Sequence, residues 1–124
     1  MPHLIIETSR NIELKQPTAL LSTLNQALFD TGHFTPATAI KARWHKADAE
    51  CIGLEPHSHQ AFIAVTLYLV KGRSEALKSQ FCQLIADNIA QHLMQVESHI
   101  HLTGQLQITV NAIELADSYV KRIV

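Results

Sequence analysis

The segment Ala61–Val70 constrains the fold of this chain more than any other stretch. It is almost wholly apolar, rich in Val, Ile, Leu and aromatic residues, and far shorter than the roughly 18 residues a bilayer crossing needs. Such a run reads as a strand buried on both faces. Gly72-Arg73-Ser74 follows at once, and Ser74 is well suited to cap a helix. Leu77, Phe81, Leu84, Ile85, Ile89, Leu93 and Val96 then recur at helical spacing. Gly104 breaks that pattern, and Gln105–Glu114 alternates, with Leu106, Ile108, Val110 and Ala112 on one face. Strand, long helix and strand in this order make a βαβ unit.

The first half repeats the plan with weaker signals. His3–Thr8 reads as a strand that Pro2 can open, since a missing N–H costs no ladder bond at a strand start. Pro17 suits the first turn of a helix. Leu20, Leu21, Leu24, Ala27 and Leu28 make its apolar stripe, and Gly32 is a natural stop. Ala39–His45 is the expected second strand, and Glu50–Gln60, with Gly53 and Pro56, the loop between the halves. The 124 residues therefore predict one domain of the α/β (α+β) class, residues 1–124: a pseudo-repeated βαβ with one four-stranded sheet and two helices on one face. The other sheet face then needs a cover. Only 17% of residues are charged, against about 25% in typical domains, and self-association supplies that cover most simply.

The formal net charge of −1 gives no footprint for nucleic acid or an anionic membrane. The N-terminus lacks the basic and apolar regions of a signal peptide, and no run is long enough to span a bilayer. Cys51 and Cys82 are isolated thiols without metal or redox spacing, as in a reduced, cytoplasmic protein.

Candidate chemistry starts at Pro2. Removal of Met1, which a small second residue permits, would leave Pro2 as a secondary amine fixed to a strand. An α-amino group titrates near pH 7.7–8.0, roughly, and burial or nearby cations lower that value further. The product is a general base poised at neutral pH. Arg73 lies in the turn after the third strand, where a cation and helix-terminal amides can hold an anion. Lys41, Arg43 and Lys46 cluster around Trp44 on the second strand, with Lys41 and Arg43 on one face. Taken alone, Arg73 could be a solvated turn residue, and Lys41 and Arg43 the polar face of an edge strand. Together with a terminal amine they offer a base and fixed positive charge where an enolate develops.

The motifs Met1-Pro2-His3-Leu4-Ile5-Ile6-Glu7-Thr8-Ser9, Thr31-Gly32-His33-Phe34 and Gly72-Arg73-Ser74 resemble those of the 5-carboxymethyl-2-hydroxymuconate Δ-isomerase family. That family belongs to the tautomerase superfamily, with 4-oxalocrotonate tautomerase and macrophage migration inhibitory factor. The resemblance runs from Pro2 to about Glu114. It implies a homotrimer of tautomerase-like subunits, no metal, no organic cofactor and a small-molecule polycarboxylate substrate in aromatic (homoprotocatechuate) catabolism. It assigns the base to Pro2 and one carboxylate-binding cation to Arg73. The second-strand arginine of the family falls on Lys41, with Arg43 two residues on. Lysine keeps the charge but lacks the planar fork of arginine, so either residue could be the working cation.

Two histidine pairs, His57-Ser58-His59 and His99-Ile100-His101, have the i, i+2 spacing of strand-borne ligands. Neither matches a helical zinc motif or has a cysteine close in sequence, so they read as polar surface. Cys82 reads as packing, and Glu7 and Glu114 as strand carboxylates that orient a site or pair with lysines. A non-catalytic trimeric binding module on the same scaffold is the alternative to an enzyme.

Overall fold

The computed structural model describes residues 1–56 and 59–124. Its elements run β1 (His3–Thr8), α1 (Pro17–Asp30), β2 (Lys41–Lys46), β3 (Ala61–Leu69), α2 (Glu75–Gln95) and β4 (Leu106–Glu114), with a 3-10 turn at Ala37–Ala39 ahead of β2. The four strands form one sheet in the order β2-β1-β3-β4. β1 pairs in parallel with β2 and β3 with β4, so each half is a βαβ unit. The halves join through the antiparallel β1–β3 pair at the centre.

The local chemistry behaves as expected. α1 starts at Pro17, where a missing N–H loses no intrahelical bond. Ser74 caps α2, its hydroxyl accepting from the Leu77 N–H at 3.1 Å. Leu20, Leu24 and Leu28 of α1 and Phe81, Ile85 and Ile89 of α2 join Leu4 and Ile6 of β1 and Ile63, Val65, Leu67 and Leu69 of β3 in a single buried cluster. Both helices therefore cover the same face of the sheet.

Two expectations change. β3 is not buried on both faces within one chain: Ala61, Ile63, Val65, Leu67 and Leu69 are buried, whereas Phe62, Ala64, Thr66 and Tyr68 are half-buried. Those four share the open face with Ile5 and with Ile113, which is 39% exposed. β2 begins at Lys41 and not at Ala39, because the Ala39 N–H bonds the Pro36 carbonyl at 2.9 Å and is spent on the preceding turn.

A buried carboxylate ties the two halves together. Glu97, just beyond α2, has a side chain with 0% exposure. It accepts from the Lys15 N–H at 2.9 Å and the Gln16 N–H at 2.7 Å, and Gln16 is the N-cap of α1. The negative charge satisfies donors at the helix start and complements the positive end of its dipole. Replacing Glu97 by Ala leaves these amides unpaired, at a cost of about 1–3 kcal/mol. The urea midpoint should fall by the corresponding amount at unchanged slope; an unchanged midpoint would show that the cap contributes nothing.

Candidate active site

Pro2 is buried immediately before β1. Its carbonyl accepts from the Lys41 N–H at 3.1 Å, the first link between β1 and β2. On its other side β1 pairs His3 with Tyr68, next to the last residue of β3. β4 ends at the same level, where Leu69 faces Glu114. The starts of β1 and β2 and the ends of β3 and β4 thus meet at one end of the sheet.

Arg73 reaches this end from the β3–α2 turn, which Gly72 shapes with a φ of +114°, a conformation glycine adopts without steric cost. It is not a solvated turn arginine. Its guanidinium lies 4.8 Å from the centre of the buried Phe34 ring, a favourable cation–π arrangement. Nη2 donates to the His33 carbonyl at 3.3 Å and Nη1 to the Val70 carbonyl at 3.4 Å. Phe34 in turn packs on Phe81 of the core, ring centres 5.1 Å apart. The side chain is anchored on carbonyls and a ring, and among the described residues no carboxylate pairs with it.

Lys41 and Arg43 are exposed on the open face of β2, while Ala42 and Trp44 turn toward the helices. Lys41 Nζ donates to the Thr38 carbonyl at 3.0 Å. Arg43 Nη1 lies 3.1 Å from His3 Nδ1. A guanidinium only donates, so Nδ1 accepts and the His3 ring is neutral in this contact. Partial burial, then the charges of Arg43, Lys41 and the N-terminus, hold the His3 pKa below its ordinary value of 6.5. Lys46, the remaining cation of the strand, is ion-paired with Glu13 at the opposite end of β2.

The N-terminal amine reports the field at the site. Its pKa lies below the ordinary 8.0, first through burial and then through Lys121, Lys41 and Arg73. Lys41 and Arg73, both read from the sequence, therefore converge on the terminus, whereas Arg43 acts on His3. Lys121 was not legible. It comes from a tail that has no periodicity, and whose residue Tyr119 places its hydroxyl 3.4 Å from the Met1 sulfur. A lone aromatic in a short tail of mixed composition was the signal available. Phe34 and His33 were visible only as part of a short motif, without a role.

The other candidates lie elsewhere. His99 uses both ring nitrogens within the chain, Nε2 facing the Glu13 carbonyl at 2.8 Å and Nδ1 facing Glu97 at 3.4 Å. His57 and Ser58 fall outside the described residues, among which no three His, Cys, Asp or Glu side chains form a metal-binding group. Burial pushes the Cys82 thiol up; it lines a 370 Å³ cleft with Glu75, Lys78 and Asn111, away from Pro2. Glu114 pairs with Lys78 at 2.8 Å, which holds its carboxyl below the usual range; Glu7 is exposed on β1. No helix among the described residues is long and apolar enough to cross a membrane.

The family profile described as 5-carboxymethyl-2-hydroxymuconate isomerase matches residues 2–121, nearly the whole chain and all of the residues around Pro2. The chain belongs to this isomerase family. It is an enzyme of the isomerase class, and its fold is that of the tautomerases. The structure is similar to a 5-carboxymethyl-2-hydroxymuconate isomerase from Deinococcus radiodurans, with a TM-score of 0.78 and 22% identity over 98% of this chain and 88% of that one. A 5-carboxymethyl-2-hydroxymuconate delta-isomerase superposes with a TM-score of 0.77 and 21% identity over 100% of this chain and 89% of that one. A fused 4-OT, described as an asymmetric trimer, shares the fold at a TM-score of 0.64 and 17% identity over 90% of this chain and 86% of that one. No curated protein sequence matches the chain.

The His3–Arg43 contact of this isomerase is open to titration. Nuclear magnetic resonance should place the His3 midpoint below 6.5. Arg43→Gln removes a cation that opposes protonation and should raise it; a midpoint that stays put in the variant would mean the guanidinium does not act on the ring.

Proposed function

We propose that, after removal of Met1, this isomerase shifts a proton along an unsaturated polycarboxylate of the 5-carboxymethyl-2-hydroxymuconate type, with Pro2 as general acid and base. The observation that carries this reading is the field at the terminus: a partly buried amine whose proton affinity is lowered first by that burial and then by Lys121, Lys41 and Arg73. Once Met1 is gone the Pro2 nitrogen is the terminal amine of that same corner, where the same surroundings favour its neutral, proton-accepting form.

The chemistry follows from the charges. Neutral Pro2 takes the proton of the dienol hydroxyl, the electron pair moves into the conjugated system, and protonated Pro2 returns the proton to a carbon further along it. No atom is gained or lost. Arg73 and Lys41 hold carboxylates and stabilise the dienolate while it carries the extra charge. Arg73 is braced for this by Phe34, His33 and Val70, which fix the guanidinium before substrate arrives. Arg43, engaged with His3, lies one pleat further from the terminus and takes the supporting place. A positioned base supplies roughly 10²–10⁴-fold, and the fixed cations act on the rest of the barrier.

The working unit is proposed to be a cytoplasmic homotrimer. The open sheet face supports it, because Ile5, Phe62, Ala64, Tyr68 and Ile113 form an apolar surface that one chain leaves half-covered. Fused 4-OT relatives are described as trimers.

The test is ultraviolet-monitored turnover of 5-carboxymethyl-2-hydroxymuconate, with removal of Met1 verified by mass and a trimer checked by sedimentation. A form that keeps one residue ahead of Pro2 has an amide nitrogen there and should lose at least about 10²-fold; Pro2→Ala keeps a terminal amine and should lose less. Lys41→Gln removes a cation that disfavours the protonated amine, so the acidic limb of the rate profile should move to higher pH. Undiminished turnover by the extended form would refute Pro2 as the base.

A further inference from the structure

The cations of this chain divide by their surroundings. Lys46 pairs with Glu13, Lys71 with Asp117 and Lys78 with Glu75 and Glu114. Among the described residues, Lys41 and Arg73 donate to carbonyl oxygens and form no ion pair. Lys121 forms no ion pair among the described residues. The end of the sheet that holds Pro2 therefore gathers Lys41, Arg73 and Lys121, none of them ion-paired among the described residues, while Arg43, one pleat further along, faces the His3 ring.

The tail that carries Lys121 is directed there by the fold. Beyond β4 the Leu115 N–H continues the ladder to the Leu69 carbonyl at 2.8 Å. Lys71 then holds Asp117 at 3.0 Å, and a turn follows, closed by the Tyr119 N–H on the Ala116 carbonyl at 3.1 Å. Tyr119 meets Met1, and Lys121 comes two residues later. The first three of these contacts do not involve Met1, so they persist in a processed chain. They leave Lys121 beside the terminus, its ammonium without an ion pair among the described residues and so open to a ligand.

We propose that Lys121 is a specificity-determining residue that receives an additional carboxylate of the substrate, so that the site favours tricarboxylates over dicarboxylates. This rests on the proposed reaction at Pro2. Two carboxylates are matched by Lys41 and Arg73; a substrate with only two leaves Lys121 unmatched, and one with three matches every cation of the corner. Lys121 cannot be replaced in this by Arg43, whose guanidinium is turned to His3, or by Lys71, which Asp117 occupies.

The experiment compares 5-carboxymethyl-2-hydroxymuconate, a tricarboxylate, with 2-hydroxymuconate, its dicarboxylate counterpart, as substrates of the parent enzyme, Lys121→Gln and Lys121→Arg. The ratio of kcat/KM for the tricarboxylate over the dicarboxylate should fall by about tenfold in Lys121→Gln, the size expected for losing a charged hydrogen bond, mainly through KM. Lys121→Arg should restore most of it. Equal losses on both substrates, or no loss, would overturn the assignment and leave Lys121 as a general influence on the amine or as a bystander. A parent enzyme active on neither substrate would count against the proposed reaction, and calorimetry then judges Lys121 separately. Propane-1,2,3-tricarboxylate should bind the parent more tightly than pentanedioate and lose that advantage in Lys121→Gln; identical preferences in parent and variant would overturn the proposal.

Discussion

The antiparallel pairing of β1 with β3 is the constraint on which the site depends. Each βαβ unit is internally parallel, so each sends its first strand and its second in one direction. Joining the units antiparallel brings the start of the first half against the end of β3, with His3 beside Tyr68. Had the central pair been parallel, the turn bearing Arg73 would stand at the other end of β1, about 20 Å away at the usual rise per residue. The pairing also brings the end of β4, and with it the C-terminal tail, to the same corner. One register decision assembles the amine, Lys41, Arg73 and Lys121.

In the proposed reaction the cations of that corner act in two opposed ways. They lower the proton affinity of the terminal amine, which favours its neutral form but makes it a weaker base. They also favour the anionic dienolate, which makes the proton easier to remove. Both effects grow as water is excluded, since charges interact more strongly in a drier environment. A buried Pro2 next to unneutralised cations therefore shifts donor and acceptor toward each other. Arg73 differs from the two lysines in being stacked on a ring as well as hydrogen-bonded, so in the proposed site its contribution is set before binding.

Much of this fold was legible in the residues because the decisive signals are local. Pro17, Gly32 and Ser74 mark helix ends by their own backbone chemistry, and the alternation of Gln105–Glu114 sets its face without outside help. The start of β2 was read two residues early because Ala39 gives no sign that a turn will use its N–H. The apolar run of β3 was legible as a strand, but its outer residues Phe62, Ala64 and Tyr68 await a surface that one chain does not contain. Glu97 could not be found at all: its partners Lys15 and Gln16 lie 82 and 81 positions away, and a glutamate after a helix ordinarily belongs to solvent. For the proposed site, Pro2, Arg73, Lys41 and Arg43 stood out in the sequence by type and position, and the family motifs drew attention to the first three. Lys121 did not, because its place is set by a ladder bond, an ion pair and a turn in a tail without pattern.

Everything proposed about catalysis passes through the state of one nitrogen. The measurement is a pH titration of Pro2 labelled with nitrogen-15, observed by nuclear magnetic resonance in protein whose mass shows that Met1 is gone. Buried among Lys41, Arg73 and Lys121, the Pro2 nitrogen should titrate below the range of roughly 7.7–8.0 typical of terminal amines. A midpoint within or above that range would mean that the corner does not prepare Pro2 to act as a base.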